Sequence, residues 1–153
     1  MRHFTVAGLS VCLLFGGGAA QADSKSALLF SCSIGAKHVD VTKLGDRFTY
    51  RFGTAGASEM SIMGEPGAGN IFQMRQRFTG PESQVRFTKG EFSYIVFAAE
   101  GNPSVGARSI AGVTVMRGLK SISSLTCDRF TEFNGFDEAF SAVPEDTEAY
   151  SGM

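Results

Sequence analysis

The sequence predicts an all-β domain: an antiparallel meander of about eight or nine strands, closed as a sandwich or a small barrel. Three observations carry that expectation. Short segments alternate apolar and polar residues with a period of two, as in 28–34, 38–42 and 47–52. Glycine-bearing turn signals separate them, at Gly35-Ala36, Leu44-Gly45-Asp46, Lys89-Gly90 and Arg117-Gly118. No segment before Asp128 keeps a helical period.

Residues 1–22 read as a secretory signal peptide, not as part of the fold. Arg2 and His3 give a basic start, residues 4–15 are mostly apolar, and Ala20-Gln21-Ala22 has the small-x-small form of a cleavage site. The apolar run is too short to span a membrane. A lipoprotein reading of Cys12 is disfavoured by Val11, where such sites want Gly or Ala. The chain is therefore expected in the periplasm or outside the cell, with a β-domain at 23–127 and a tail at 128–153.

The first strand, 28–34, puts Phe30, Cys32 and Ile34 on one side. Residues 38–42 and 47–52 form a hairpin. Either two-residue loop at Leu44-Gly45-Asp46 sets Val39 and Val41 against Phe48, Tyr50 and Phe52. Residues 53–57 connect to a short strand at 59–63, and 64–70 is the clearest loop in the chain. The strand at 71–78 places Phe72, Met74 and Phe78 on one face and Gln73, Arg75 and Arg77 on the other. Residues 85–97 form a second hairpin with Lys89-Gly90 at its tip. Its parity groups Val85, Phe87, Phe92 and Tyr94 on one face. A long Gly/Pro/Asn loop follows at 100–108, then strands at 110–116 and 120–127.

Cys32 and Cys127 are the two cysteines after the signal segment, and an oxidising compartment pairs them. Charge is divided along the chain. Twelve Lys/Arg face seven Asp/Glu between Ser24 and Cys127, whereas seven acids face Arg129 alone from Asp128 on. In the tail, Phe130, Phe133, Phe136 and Phe140 recur at helix-compatible spacing, but Asn134-Gly135 interrupts them. A short helix on the sheet and a weakly ordered segment both remain open. Disorder is expected over 141–153.

Chemistry is sparse. His38 is the single histidine after the signal segment, with Asp40 on the same strand face, and the thiols are committed. No catalytic residue, cofactor or metal site is expected. Glycine-rich 64–69 lacks the Lys-Ser/Thr ending of a phosphate loop. What stands out is basic: Arg47, Arg51, Arg75, Arg77 and Arg86 alternate with apolar residues and are expected to project from outer strand faces. They are the candidate surface for an anionic partner, which the acidic tail would shield in cis. An envelope or exogenous protein fits, or a cell-wall polymer. Nucleic acid and a membrane span do not.

Phe30-Ser31-Cys32, Val39-Asp40-Val41, Phe87-Thr88-Lys89-Gly90-Glu91 and the late Cys127 resemble the layout of small exported bacterial β-proteins of unknown function. More loosely, they resemble the periplasmic inhibitors of C-type lysozyme. That resemblance implies a small β-barrel and a protein partner. The inhibitors' Ser-Gly-x-x-Tyr type loop motif is not found here, so no functional residue is carried over. The expectation is a non-enzymatic binding or inhibitor module, lysozyme-inhibitor-like or an immunity protein against a wall-acting toxin. The alternatives are a small apolar-ligand barrel and a carboxylate- or His38-dependent envelope hydrolase.

Overall fold

A computed structural model describes residues 25–77, 80–131 and 133–148. The expected signal peptide with its cleavage site, Cys12 and Phe78 lie outside them. The chain forms two antiparallel five-stranded sheets. The first contains β1 (Ala27–Ile34), β2 (Lys37–Leu44), β3 (Arg47–Thr54), β4 (Ala57–Gly64) and β10 (Arg129–Thr131), in the order β10-β1-β2-β3-β4. The second is a pure meander of β5 (Ile71–Arg77), β6 (Pro81–Lys89), β7 (Phe92–Ala99), β8 (Ile110–Arg117) and β9 (Lys120–Thr126). Among the described residues no strand pairing joins the two sheets, so the fold is a sandwich and not a closed barrel.

Four hairpin loops are two residues long and begin with glycine: Gly35-Ala36, Gly45-Asp46, Gly90-Glu91 and Gly118-Leu119. Gly90 has φ +61°, the signature of a type II′ turn, whose first central residue takes positive φ. Glycine therefore leads the loop, and the expected Lys89-Gly90 tip moves one residue on. Lys89 pairs with Phe92, Phe87 with Tyr94 and Val85 with Val96. The pairing shifts by two, so the expected face survives: Val85, Phe87, Tyr94 and Phe92 still share one side.

That face meets the first sheet. Phe30, Cys32, Val39, Val41, Phe48, Tyr50 and Ile62 pack against Ile71, Val85, Phe87, Val96, Ala111 and Val113, all buried. Tyr50 bridges the layers, with its ring centroid 5.8 Å from Phe87 and 5.7 Å from Tyr94. Burial pushes the Tyr50 hydroxyl pKa well up, and Tyr94 adds to the shift. The second sheet is also buried on its other face, at Ile95, Phe97 and Met116.

The disulfide forms at the crossover between sheets. Cys127, directly after β9, donates its N–H to Ala111 O, and Asp128 N–H reaches Ser33 O. Cys32 and Cys127 are bonded, with Cα atoms 5.6 Å apart. The chain then adds β10 beside β1, where the side-chain hydroxyl of Thr131 accepts from Ser31 N–H at 3.0 Å.

The tail packs on the body, first through the short helix left open by the sequence and then over 141–148, where disorder was expected. Phe133 stacks on Phe30 at 4.8 Å and Phe140 on Phe48 at 5.0 Å. The short helix α1 (Phe136–Ala139) carries buried Phe136 between them. Beyond it, residues 141–148 hold to the body: Val143 is buried, Gln73 N–H donates to Pro144 O at 2.9 Å, and Asp146 N–H donates to Gln73 O at 2.7 Å. The tail thus closes the edge of β5, which would otherwise present unpaired backbone groups.

Candidate functional site

Alternation along five strands sends the side chains opposite to the core onto one outer face of the first sheet. Register aligns them into rows. One row is Thr131, Ser31, Asp40, Arg51 and Ser61; the next is Arg129, Ser33, His38 and Gly53. A third row runs Leu28, Thr42, Thr49 and Met63, and Leu44 pairs with Arg47 beyond it. Leu28, Leu44 and Met63 are 51%, 43% and 52% exposed, large for apolar residues gathered at one end of a single face.

A cleft of about 400 Å³ opens over the polar rows, lined by Ser31, His38, Asp40, Arg51 and the β3–β4 tip. Its cause is local. Pairing slips between Phe52 and Gly53, and the tip folds back so far that a Cβ on Gly53 would lie 2.2 Å from Ala57 O. Only glycine permits that approach. Ser33 Oγ lies 3.3 Å from His38 Nδ1 and orients the ring. Asp40 and Arg51 are direct cross-strand partners, yet no ion pair or side-chain hydrogen bond joins either to another described residue. In contrast, Lys37 on the same hairpin is paired with Glu59.

The five arginines do not form one surface, contrary to the expectation that all project from outer faces. Arg47 and Arg51 share the outer face of the first sheet, and Arg47 Nε meets Glu65 at 3.2 Å. Arg75 and Arg77 belong to the second sheet, on the Ile71 side of β5, where Arg75 pairs with Asp137 at 3.1 Å and covers the Phe136 ring at 5.2 Å. Arg86 is the clear correction, at 7% exposure. It makes a bidentate pair with Asp146, at 2.6 and 2.7 Å, and stacks over Phe72 at 4.3 Å. The reason lies next door: Arg86 pairs across the ladder with Ile95, in the apolar run of β7, and that side of the sheet is not open to water. Tail acids do meet Arg75 and Arg86, but as parts of the packed body.

Along the same β6 stripe Glu82 is buried, with Oε1 accepting from the Gln76 and Gln84 amides and no partner for Oε2. Among the described residues no group of three His, Cys, Asp or Glu is placed to hold a metal ion, and no helix is long and apolar enough to cross a membrane. Sequence reasoning missed Leu28, Leu44 and Met63 and the role of Asp40 as the partner of Arg51. The last was available from the hairpin, since the Gly45-Asp46 loop sets Asp40 opposite Arg51. Compared with protein-family models, with characterised proteins and with solved structures, the chain matches none.

Proposed function

We propose that this chain is an exported, non-enzymatic binding module of the periplasm that acts as an inhibitor or immunity-type partner of an envelope or exogenous protein. The outer face of the first sheet is its recognition surface. One observation carries the reading: among the described residues Asp40 and Arg51 have no ion-pair partner at the centre of that face, beside exposed Leu28, Leu44 and Met63. Desolvating an already closed ion pair gains little, whereas unpaired charges on a rigid sheet are free to select a complementary partner. The disulfide and the secretory form of residues 1–22 support export. Lysozyme-inhibitor-like action belongs to this proposal as one form of it.

The test is affinity capture from periplasmic extract by the chain beginning at Asp23, alongside R51E and a Leu44→Asp, Met63→Asp double variant. Specific capture that weakens in high salt and is lost in both variants is expected. Capture that both variants retain would remove the face from the proposal.

The hydrolase reading is favoured by one contact, Ser33 Oγ to His38 Nδ1. Asp40 makes no hydrogen bond to the ring, so the carboxylate that orients a catalytic histidine is not engaged. Activity on an ester and glycan panel that H38A abolishes would reinstate it. The apolar-ligand reading has less room, because the space between the sheets is filled by Phe30, Phe48, Tyr50, Phe87 and Phe140.

A further inference from the structure

We propose that the cleft under the β3–β4 tip binds the zwitterionic head of an α-amino acid, with the ligand carboxylate on Arg51 and its ammonium on Asp40; this rests on the recognition face just described. The argument begins with charge. Two opposite charges face one another across the ladder, where Cβ atoms are about 5 Å apart, close enough for an ion pair to form. Neither is satisfied by another described residue. A ligand that carries both charges on one carbon answers both at once.

The functional groups also fit by type. A guanidinium presents a planar fork to a carboxylate, and a carboxylate is the natural acceptor for an ammonium. Ser31 and the oriented His38 add polar groups to the lining. The back wall, Ala55-Gly56-Ala57, offers only small side chains, and no Phe or Tyr lines the cleft. A sugar platform is therefore absent among the lining residues, which argues for a compact head over a saccharide ring. The shape depends on Gly53, because any larger residue would meet Ala57 O and push the tip away. Two sources carry this chemistry: free amino acids, and wall stem peptides that end in a diamino acid with a free α-ammonium and α-carboxylate.

The experiment is amide NMR of the 15N-labelled chain beginning at Asp23, titrated with alanine, N-acetylalanine, alanine amide and a stem tripeptide ending in diaminopimelate. Saturable shifts at 38–40 and 51–58 are expected with alanine and the tripeptide, with dissociation constants on the order of millimolar for so small a contact. Neither blocked alanine should reproduce them. R51Q and D40N should each weaken binding by about tenfold or more, while the remaining spectrum stays native. Shifts from the tripeptide alone would assign the wall peptide as the source. Equal shifts from alanine and N-acetylalanine would reduce the cleft to an anion site and overturn the proposal. No shift from any probe would overturn it too, and protein capture that persists and still needs Arg51 would leave the recognition face standing without an amino-acid site.

Discussion

Asp146→Asn should destabilise the protein by about 3 kcal/mol, although its sequence context reads as an acidic, disordered end. Asp146 and Arg86 are 3% and 8% exposed at their side chains and form two short charge-assisted hydrogen bonds, at 2.6 and 2.7 Å. Removing one member of a buried pair costs about 3–5 kcal/mol, because the other charge is left without its partner. The low end applies here. Glu148 remains 3.9 Å from the Arg86 guanidinium, and the Phe72 face lies 4.3 Å below it. The assay is urea unfolding of the disulfide-intact chain beginning at Asp23, followed by tyrosine emission, since the chain has no Trp. The slope should stay constant while the midpoint falls. R86M alone should cost a similar amount, but the double variant Arg86→Met, Asp146→Leu should cost at least ~2 kcal/mol less than the two singles summed. A loss below about 0.5 kcal/mol for D146N, the size of an ordinary surface change, would refute the docking of 141–148 onto the body.

Other outcomes follow from the same packing. Replacing both Cys32 and Cys127 with Ala opens a loop of 95 residues and should lower stability by up to about 4.7 kcal/mol, read as a drop in the urea midpoint under non-reducing conditions. Phe140→Ala removes a buried ring stacked on Phe48 and should cost about 3–5 kcal/mol, checked by calorimetry. Tyr50 has a folded-state pKa raised above its unfolded value near 10, so its contribution is complete below pH 10 and is lost as pH rises beyond it. The fall is about 1.4 kcal/mol per pH unit while the unfolded tyrosine alone ionises, and Y50F should flatten that alkaline limb of the stability profile.

Much of the fold was legible because strand alternation is a strict rule. Phe30, Cys32, Val39, Val41, Phe48 and Tyr50 all take the core side that their parity implied. The Cys32–Cys127 bond followed from pairing the two cysteines that lie beyond the expected signal peptide. Two turns, at Lys89-Gly90 and Arg117-Gly118, moved on by one residue, since a glycine signals a turn without saying which loop position it takes; at 90 and 118 it takes the first. The tail was misread for a physical reason. Order over 141–148 comes from Val143, two backbone hydrogen bonds to Gln73 and one charge pair to Arg86, contacts that leave no periodicity in the sequence. A clue to Arg86 did exist. Residues 95–99 are apolar without alternation, as in a strand covered on both faces, so a charged neighbour on β6 had to be buried and paired. The proposed recognition face was half legible: Arg51 was singled out, but Leu28, Leu44 and Met63 come together on its face only through register.

Hydrogen exchange on the complex recovered from periplasmic extract tests the recognition surface most directly. Protection concentrated in β2, β3 and β4, over 38–44 and 47–63, is the predicted result, with the second sheet unchanged. Protection confined to β6–β9 or to the tail, with the first sheet exchanging as in the free protein, would contradict it.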